Sequence, residues 1–270
     1  MRCAAVREND TFMSDYYLFR TALFNLMRPG KLVAAVILIA IPTLIGLLIR
    51  WKMDPDTYVA ASQYGLLTVF FVFGFVLTML SVIFCSGIVA QEVEQKTIVY
   101  LLTRPVPRWR ILFIKYLAAV LVTTVVGWLS VLAAALATYG PTKIGQSSLG
   151  HDLLILPAGV AVYSAIFLLI ATLMNRPLIL GLIFAFGWEP LMRILPGYGQ
   201  YCSIMTYLRV LAPHDVPESM INLLSPNTAG VDPPSHMVSW IVLIAVTLVT
   251  LLAAFLAFST REYVPREDAG

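Results

Sequence analysis

The feature that most restricts the fold is the recurrence of apolar runs near the ~20 residues that carry an α-helix across bilayer hydrocarbon. Such runs extend over about Leu32 to Ile49, Tyr64 to Gly87, Leu117 to Tyr139, Leu153 to Met174, Pro177 to Leu195 and Val238 to Phe258. In hydrocarbon every backbone N–H and C=O must be paired within the protein, and isolated spans of this length satisfy that as helices. The sequence therefore predicts an all-α membrane protein with six transmembrane helices. No polar stretch between the runs is long enough for a soluble domain, so residues 1–270 read as a single membrane domain. Only 12% of the residues are charged, against about 25% in soluble domains, which points to lipid as the main solvent.

Charge then orients the chain. Arg2, Arg7, Arg20, Arg28, Lys31, Lys96, Arg104, Arg108, Arg110, Lys115, Arg176, Arg261 and Arg266 fall on the side of the N-terminus, and only Arg50, Lys52, Lys143, Arg193 and Arg209 on the other. Cytoplasmic segments are enriched in Lys and Arg, so both termini are expected in the cytoplasm. The net charge of +3 is too small to suggest nucleic acid. Cys3, Cys85 and Cys202 fall in a tail, a span and an external loop, positions from which a disulfide does not readily form. The first residues lack a short apolar core followed by a small-residue cleavage site, so no cleaved leader is expected.

Residues 1–30 read as a cytoplasmic tail and an interfacial helix: Tyr16, Phe19, Leu23 and Leu26 recur at helical spacing opposite Ser14, Thr21, Asn25 and Arg28. Pro29 and Gly30 then turn the chain into the membrane. The fifth run is interrupted by Glu189, Pro190 and Arg193 after about eleven strongly apolar residues. A charge at the bilayer centre costs ~2.5–3.5 kcal/mol on insertion scales, which places Glu189 and Arg193 at the outer rim or inside the bundle. Their spacing of four permits a helical ion pair, a candidate pair at the rim. Residues 196–237, rich in proline, are expected to form an external cap, a loop or helical hairpin between the fifth and sixth spans.

The most informative segment is 88–116, between the second and third spans. Glu92 and Lys96 stand four apart, and Val93, Thr97, Tyr100 and Leu101 form an apolar stripe on a short helix. Arg104-Pro105-Val106-Pro107 ends that helix, because each proline fixes its own φ and biases the residue before it away from helix. Helix restarts at Arg108, giving an amphipathic protrusion on the cytoplasmic side. Glu-x-Glu-x-Lys-Thr-Ile, then Leu-Leu-Thr-Arg-Pro-Val-Pro-Arg and Ile-Leu-x-x-Lys, resembles the cytoplasmic segment of type-2 ABC transporter permeases. The motif covers about thirty residues, and the six-span layout, interfacial helix and loop before the last span agree along nearly the whole chain.

The resemblance implies a cytoplasmic coupling helix pressed against a separate ABC ATPase subunit, present in two copies, with the interfacial helix nearby. It places Glu92, Glu94, Lys96, Thr97, Arg104 and Arg108 at that contact; Lys96 stands where many members carry glycine. ATP and Mg2+ would be held by the partner, since this sequence lacks a G-x-x-x-x-G-K-[ST] phosphate loop and binds no cofactor of its own on this reading. The implied function is that of the membrane-spanning subunit of an exporter in a bacterial or archaeal cytoplasmic membrane, paired with a second permease copy or a homologue. The second and fifth spans would line the route, with Phe71 and Phe75 in the one and Phe184 and Trp188 in the other.

Two rival classes need other residues. An ion-coupled carrier needs ionisable groups near the membrane centre, for which Glu189 with Arg193 is the sole candidate. A membrane enzyme or metal site needs converging ligands, whereas His151, His214 and His236 fall in expected external loops without H-E-x-x-H spacing and read as solvated. A complex of the same fold that signals, without exporting, has the same sequence signature.

Overall fold

A computed structural model describes residues 15–53, 59–94, 108–141, 143, 145, 147–174, 176–195, 197–214 and 233–260. Helix α1 (15–26) is followed by α2 (Pro29–Lys52). The next rod, α3, is composite: Ala60–Leu66, a π-helical stretch Leu67–Val76, and Leu77–Glu94. Then come α4 (Arg108–Tyr139) and α5 (Leu149–Leu173). The rod α6 is again composite, with Pro177–Ile183, a π-helical stretch Phe184–Trp188, and Glu189–Ile194. A 3-10 turn, Gly197–Cys202, leads to the short α7 (Ile204–Leu211), and α8 (His236–Thr260) closes the described chain. Rods α2 to α6 and α8 are the six helices long and apolar enough to span a membrane, and no strand occurs among the described residues.

The helix ends follow from local chemistry. Pro29 and Pro177 each open a helix, where a missing N–H costs nothing and the fixed φ suits the first turn. Gly140, at φ +74°, ends α4 in the left-handed conformation that glycine adopts without penalty. A Cβ there would lie 2.7 Å from Nη1 of Arg50, so the end of α2 lays a guanidinium on the C-terminus of α4, where the helix dipole favours a cation. Pro157, inside α5, cannot donate to the Leu153 carbonyl four residues back. Trp128 on α4 fills that gap, its Nε1 donating to Leu153 O at 2.9 Å.

Rod α3 is the most buried of the six, α4 and α5 follow, and α2, α6 and α8 leave most of their apolar surface facing outward. The core therefore sits between α3, α4 and α5, around Phe73, Phe84, Leu112, Leu156, Tyr163 and Phe167. Helix α1 packs Ala22 and Leu26 into the same core with Phe19 and Leu23 against it, while Tyr16 is exposed. Its opposite face carries Tyr17, Phe24 and Met27 in the open, more apolar than the polar side expected from Thr21, Asn25 and Arg28.

The end of the bundle that holds α1 is called the base and the opposite end the top. Of the chain expected to form an external cap, the described residues 197–214 pack into the bundle. Leu208 on α7 lies so close to α5 that a Cβ on Gly159 would come within 2.9 Å of its Cδ1, and Met205, Leu208, Leu211 and Ala212 are all buried. The start of α7 bonds to the same carboxylate as Tyr163, the fifteenth of the 25 residues of α5. At a rise of about 1.5 Å per residue, that level is about 21 Å below the top of a helix about 36 Å long. Rod α6 thus climbs past mid-bundle to Ile194, the chain dips back through Gly197–Cys202, and α7 climbs a second time: a re-entrant hairpin.

Candidate functional site

The candidate site residues fall in two places, the base between α3 and α4 and the seam between α3, α6 and α7. At the base, Glu92 and Glu94 lie on the last turns of α3, and Arg108 is the first residue of α4. Lys96, Thr97 and Arg104, with the rest of 95–107, lie outside the described residues. Beside Arg108, Arg110 donates to and pairs with the Asp15 carboxylate, joining the first turn of α1 to the first turn of α4. The pair links the segment entering α4 to α1, which packs Phe19, Leu23 and Leu26 against the core.

In the seam, both aromatic pairs picked out from the sequence fall on π-helical stretches: Phe71 and Phe75 on Leu67–Val76, Phe184 and Trp188 on Phe184–Trp188. Such stretches carry an extra residue per turn and recur at functional sites. The two stretches meet, with the Phe75 and Phe186 rings 5.9 Å apart. Within α6, Phe184 stacks on Trp188 at 6.5 Å, and edge contact with Phe167 at 5.7 Å continues to Tyr163, stacked on Phe167 at 6.3 Å. Phe71 is half-buried on the same stretch as Phe75. The aromatic chain thus runs from the buried centre of α5 to Phe186 and Trp188, both exposed on the outward face of α6.

Above this chain stands Glu189, 1% exposed and level with the middle of α5, inside the bundle and well below the rim. Its Oε1 accepts three hydrogen bonds: from the Tyr163 hydroxyl at 2.7 Å, the Ser203 hydroxyl at 2.9 Å and the Met205 N–H at 2.8 Å. One oxygen of α6 therefore fastens α5 and the start of α7, whose first-turn N–H groups otherwise lack acceptors. Oε2 is buried with no hydrogen-bond partner among the described residues. Of the candidate pair Glu189 and Arg193, the contact observed is one from Arg193 Nε to the Glu189 main-chain carbonyl at 3.3 Å. Farther up α7, the Arg209 guanidinium lies over the Phe70 ring, 6.0 Å from its centre, a cation–π contact that ties α7 to the π stretch of α3.

Tyr163 and Ser203 escaped sequence reasoning. Neither carries a motif, and their only signal was a lone carboxylate in an apolar run that needed donors. Asp152 was missed as well. It is the one acid near the start of the fourth span, fully buried, and its partners are Tyr64 and His214. His214, expected to be solvated, has only 2% of its side chain exposed.

Among known families, the model described as ABC-2 family transporter protein fits residues 27–188, from the end of α1 to the π stretch of α6. No curated protein matches the chain.

Proposed function

Because the chain belongs to the ABC-2 family of transporter proteins, a membrane permease of the ABC transporter type, we propose that it is the membrane-spanning half of an exporter powered by a separate ATPase. The observation that carries this reading is the base: two core rods, α3 and α4, end there at a connection whose sequence has the coupling pattern, with α1 bound to α4 through Asp15 and Arg110. On this reading the base faces the cytoplasm, and Glu92, Glu94, Lys96, Thr97, Arg104 and Arg108 meet the partner. Two ATPase copies and two permeases, identical or homologous, form the complex. Closure of the ATPases on ATP pushes the connection, α3 and α4 tilt as rigid rods, and the bundle passes from inward-open to outward-open.

The seam then lines the route. Phe71, Phe75, Phe184 and Trp188 offer ring faces and no charge, which suits an amphipathic or apolar substrate. The location is a bacterial or archaeal cytoplasmic membrane, with both termini inside. Affinity purification from nanodiscs tests the reading: a Walker-motif ATPase co-purifies, and Glu94→Arg or Arg104→Glu lowers capture and complex ATPase activity. A chain that captures no ATPase and transports without ATP overturns it. One observation favours an ion-coupled carrier instead, the unpartnered Oε2 of Glu189. Ion-gradient-driven transport without ATPase, abolished by Glu189→Gln, would establish that alternative.

A further inference from the structure

We propose that Tyr64, Asp152 and His214 form a proton-binding site that latches the upper end of α7 to the bundle, so that acidity at the top of the protein sets how readily the re-entrant helix leaves its place. The proposal rests on the reading above only for which side of the membrane supplies the proton.

Three elements distant in sequence converge here. Tyr64, near the top of α3, donates its hydroxyl hydrogen to Asp152 Oδ2 at 2.5 Å. His214, three residues beyond the end of α7, brings Nε2 to 3.0 Å from Oδ1 and 3.1 Å from Oδ2 of the same carboxylate, its bond directed at Oδ2. The other ring nitrogen, Nδ1, lies 2.7 Å from the carbonyl oxygen of Ala212. Both carboxylate and imidazole are almost wholly buried.

The proton count follows from these partners. Nδ1 faces a carbonyl, which only accepts, so Nδ1 carries a hydrogen. Between Nε2 and the carboxylate one further proton is needed, because an imidazole lone pair against an ionised carboxylate leaves two acceptors face to face without solvent. Whether that proton sits on His214 or on Asp152, the closed latch holds it. Once α7 lifts and water reaches both groups, the imidazole returns to ordinary behaviour, near 6.5. Above about pH 6.5 opening therefore releases a proton, whereas in mild acid just below it the opened histidine stays charged and the dependence levels off. The latch is at full strength in mild acid and weakens as pH rises above about 6.5.

Among the described residues, the groups that face the pair are aromatic or already engaged. Tyr64 from α3 donates to the carboxylate, and its ring lies 5.8 Å from that of His214; Tyr139 from α4 stands behind it, ring to ring at 5.6 Å. Asp152 is the acid from α5. On its own segment the nearest charged residue described is Arg209, engaged with Phe70. The site therefore couples a proton to the position of a helix that fills the space between α3, α5 and α8.

Hydrogen exchange of the intact chain in nanodiscs tests this without ATPase or substrate, so its failure is separate from failure of the transport reading. With base-catalysed exchange divided out by unstructured controls, protection of the 204–211 amides should be level below about pH 6.5 and fall by up to tenfold per pH unit above it. His214→Gln should abolish the slope. His214→Lys, which keeps a positive charge to higher pH, should leave protection level to about pH 9. Flat protection in the parent, or a slope that survives in both variants, overturns the proposal.

Discussion

The two ends of α7 are held by buried carboxylates of different character. At the lower end, Glu189 takes three donors, two hydroxyls and a backbone N–H, none of which changes charge in the physiological range. At the upper end, Asp152 takes one hydroxyl and one imidazole, and the imidazole titrates. The same task, fixing a short helix inside a bundle, is met by an anchor with uncharged donors deep in the protein and by one with an imidazole donor near its top. A helix pinned in this way opens from the top, where one proton decides, and hinges at the bottom.

The comparison is broken most severely at Glu189. Glu189→Ala leaves the Tyr163 hydroxyl, the Ser203 hydroxyl and the Met205 N–H without their acceptor, and each buried orphan costs about 1–3 kcal/mol. Denaturation in detergent should show a loss of at least about 3 kcal/mol. Glu189→Gln keeps one acceptor oxygen and should lose less. An alanine variant as stable as the parent would remove Glu189 from the role of anchor.

Between the anchors, Gly159→Val places methyl groups where Leu208 Cδ1 already sits 2.9 Å from the Cβ position, with Leu77 behind it at 3.3 Å. Overpacking of this kind costs about 1–3 kcal/mol. Faster exchange confined to 204–211, with α2 and α4 unaffected, would show that α7 moves as a unit between its two attachments. Uniform loosening of the bundle would show that it does not.

How much of this was legible in the sequence differs sharply between the spans and the attachments. The six rods were readable because about 20 consecutive apolar residues have few solutions in hydrocarbon, and Pro29 and Pro177 marked two starts. The π stretches were not readable: in a run such as Leu67–Val76, apolar at nearly every position, no periodicity separates a π turn from an α turn. Glu189 was visible as an anomaly, but its donors come from positions 14, 16 and 26 residues away, and nothing local names them. Tyr64, Asp152 and His214 are separated by 62 and 88 residues along the chain. Pro213 and Asp215 beside His214 gave it the look of a solvated loop residue. The connection with the strongest sequence signal, 95–107, lies outside the described residues, so the motif and the geometry speak to different parts of the molecule.

A finer cut at the lower anchor is Tyr163→Phe. It removes one of three donors to Oε1 while Ser203 and the Met205 N–H remain, so the loss should be that of a single hydrogen bond, about 0.5–1.5 kcal/mol. The ring stays stacked on Phe167, which separates the hydroxyl from the packing. A loss as large as that of Glu189→Ala would mean that the tyrosine, and not the carboxylate, organises the hairpin.

The smallest effect is expected at a third carboxylate, Asp15, which pairs with Arg110 at the base. Its side chain is 26% exposed and that of Arg110 is 35% exposed, so solvent and salt screen the pair, unlike the two anchors of α7. A double-mutant cycle of Asp15→Asn with Arg110→Gln should give a coupling of at most about 1 kcal/mol in stability, and less at high salt. If the base transmits force through α1, the same pair should show its worth in function: Asp15→Asn should lower the ATPase stimulation of the complex by more than its stability cost explains. A stability coupling larger than that of Tyr163 with Glu189 would reverse the ranking by burial. Equal ATPase activity in parent and Asp15→Asn complexes would instead leave α1 as packing for the core, with the connection between α3 and α4 acting alone.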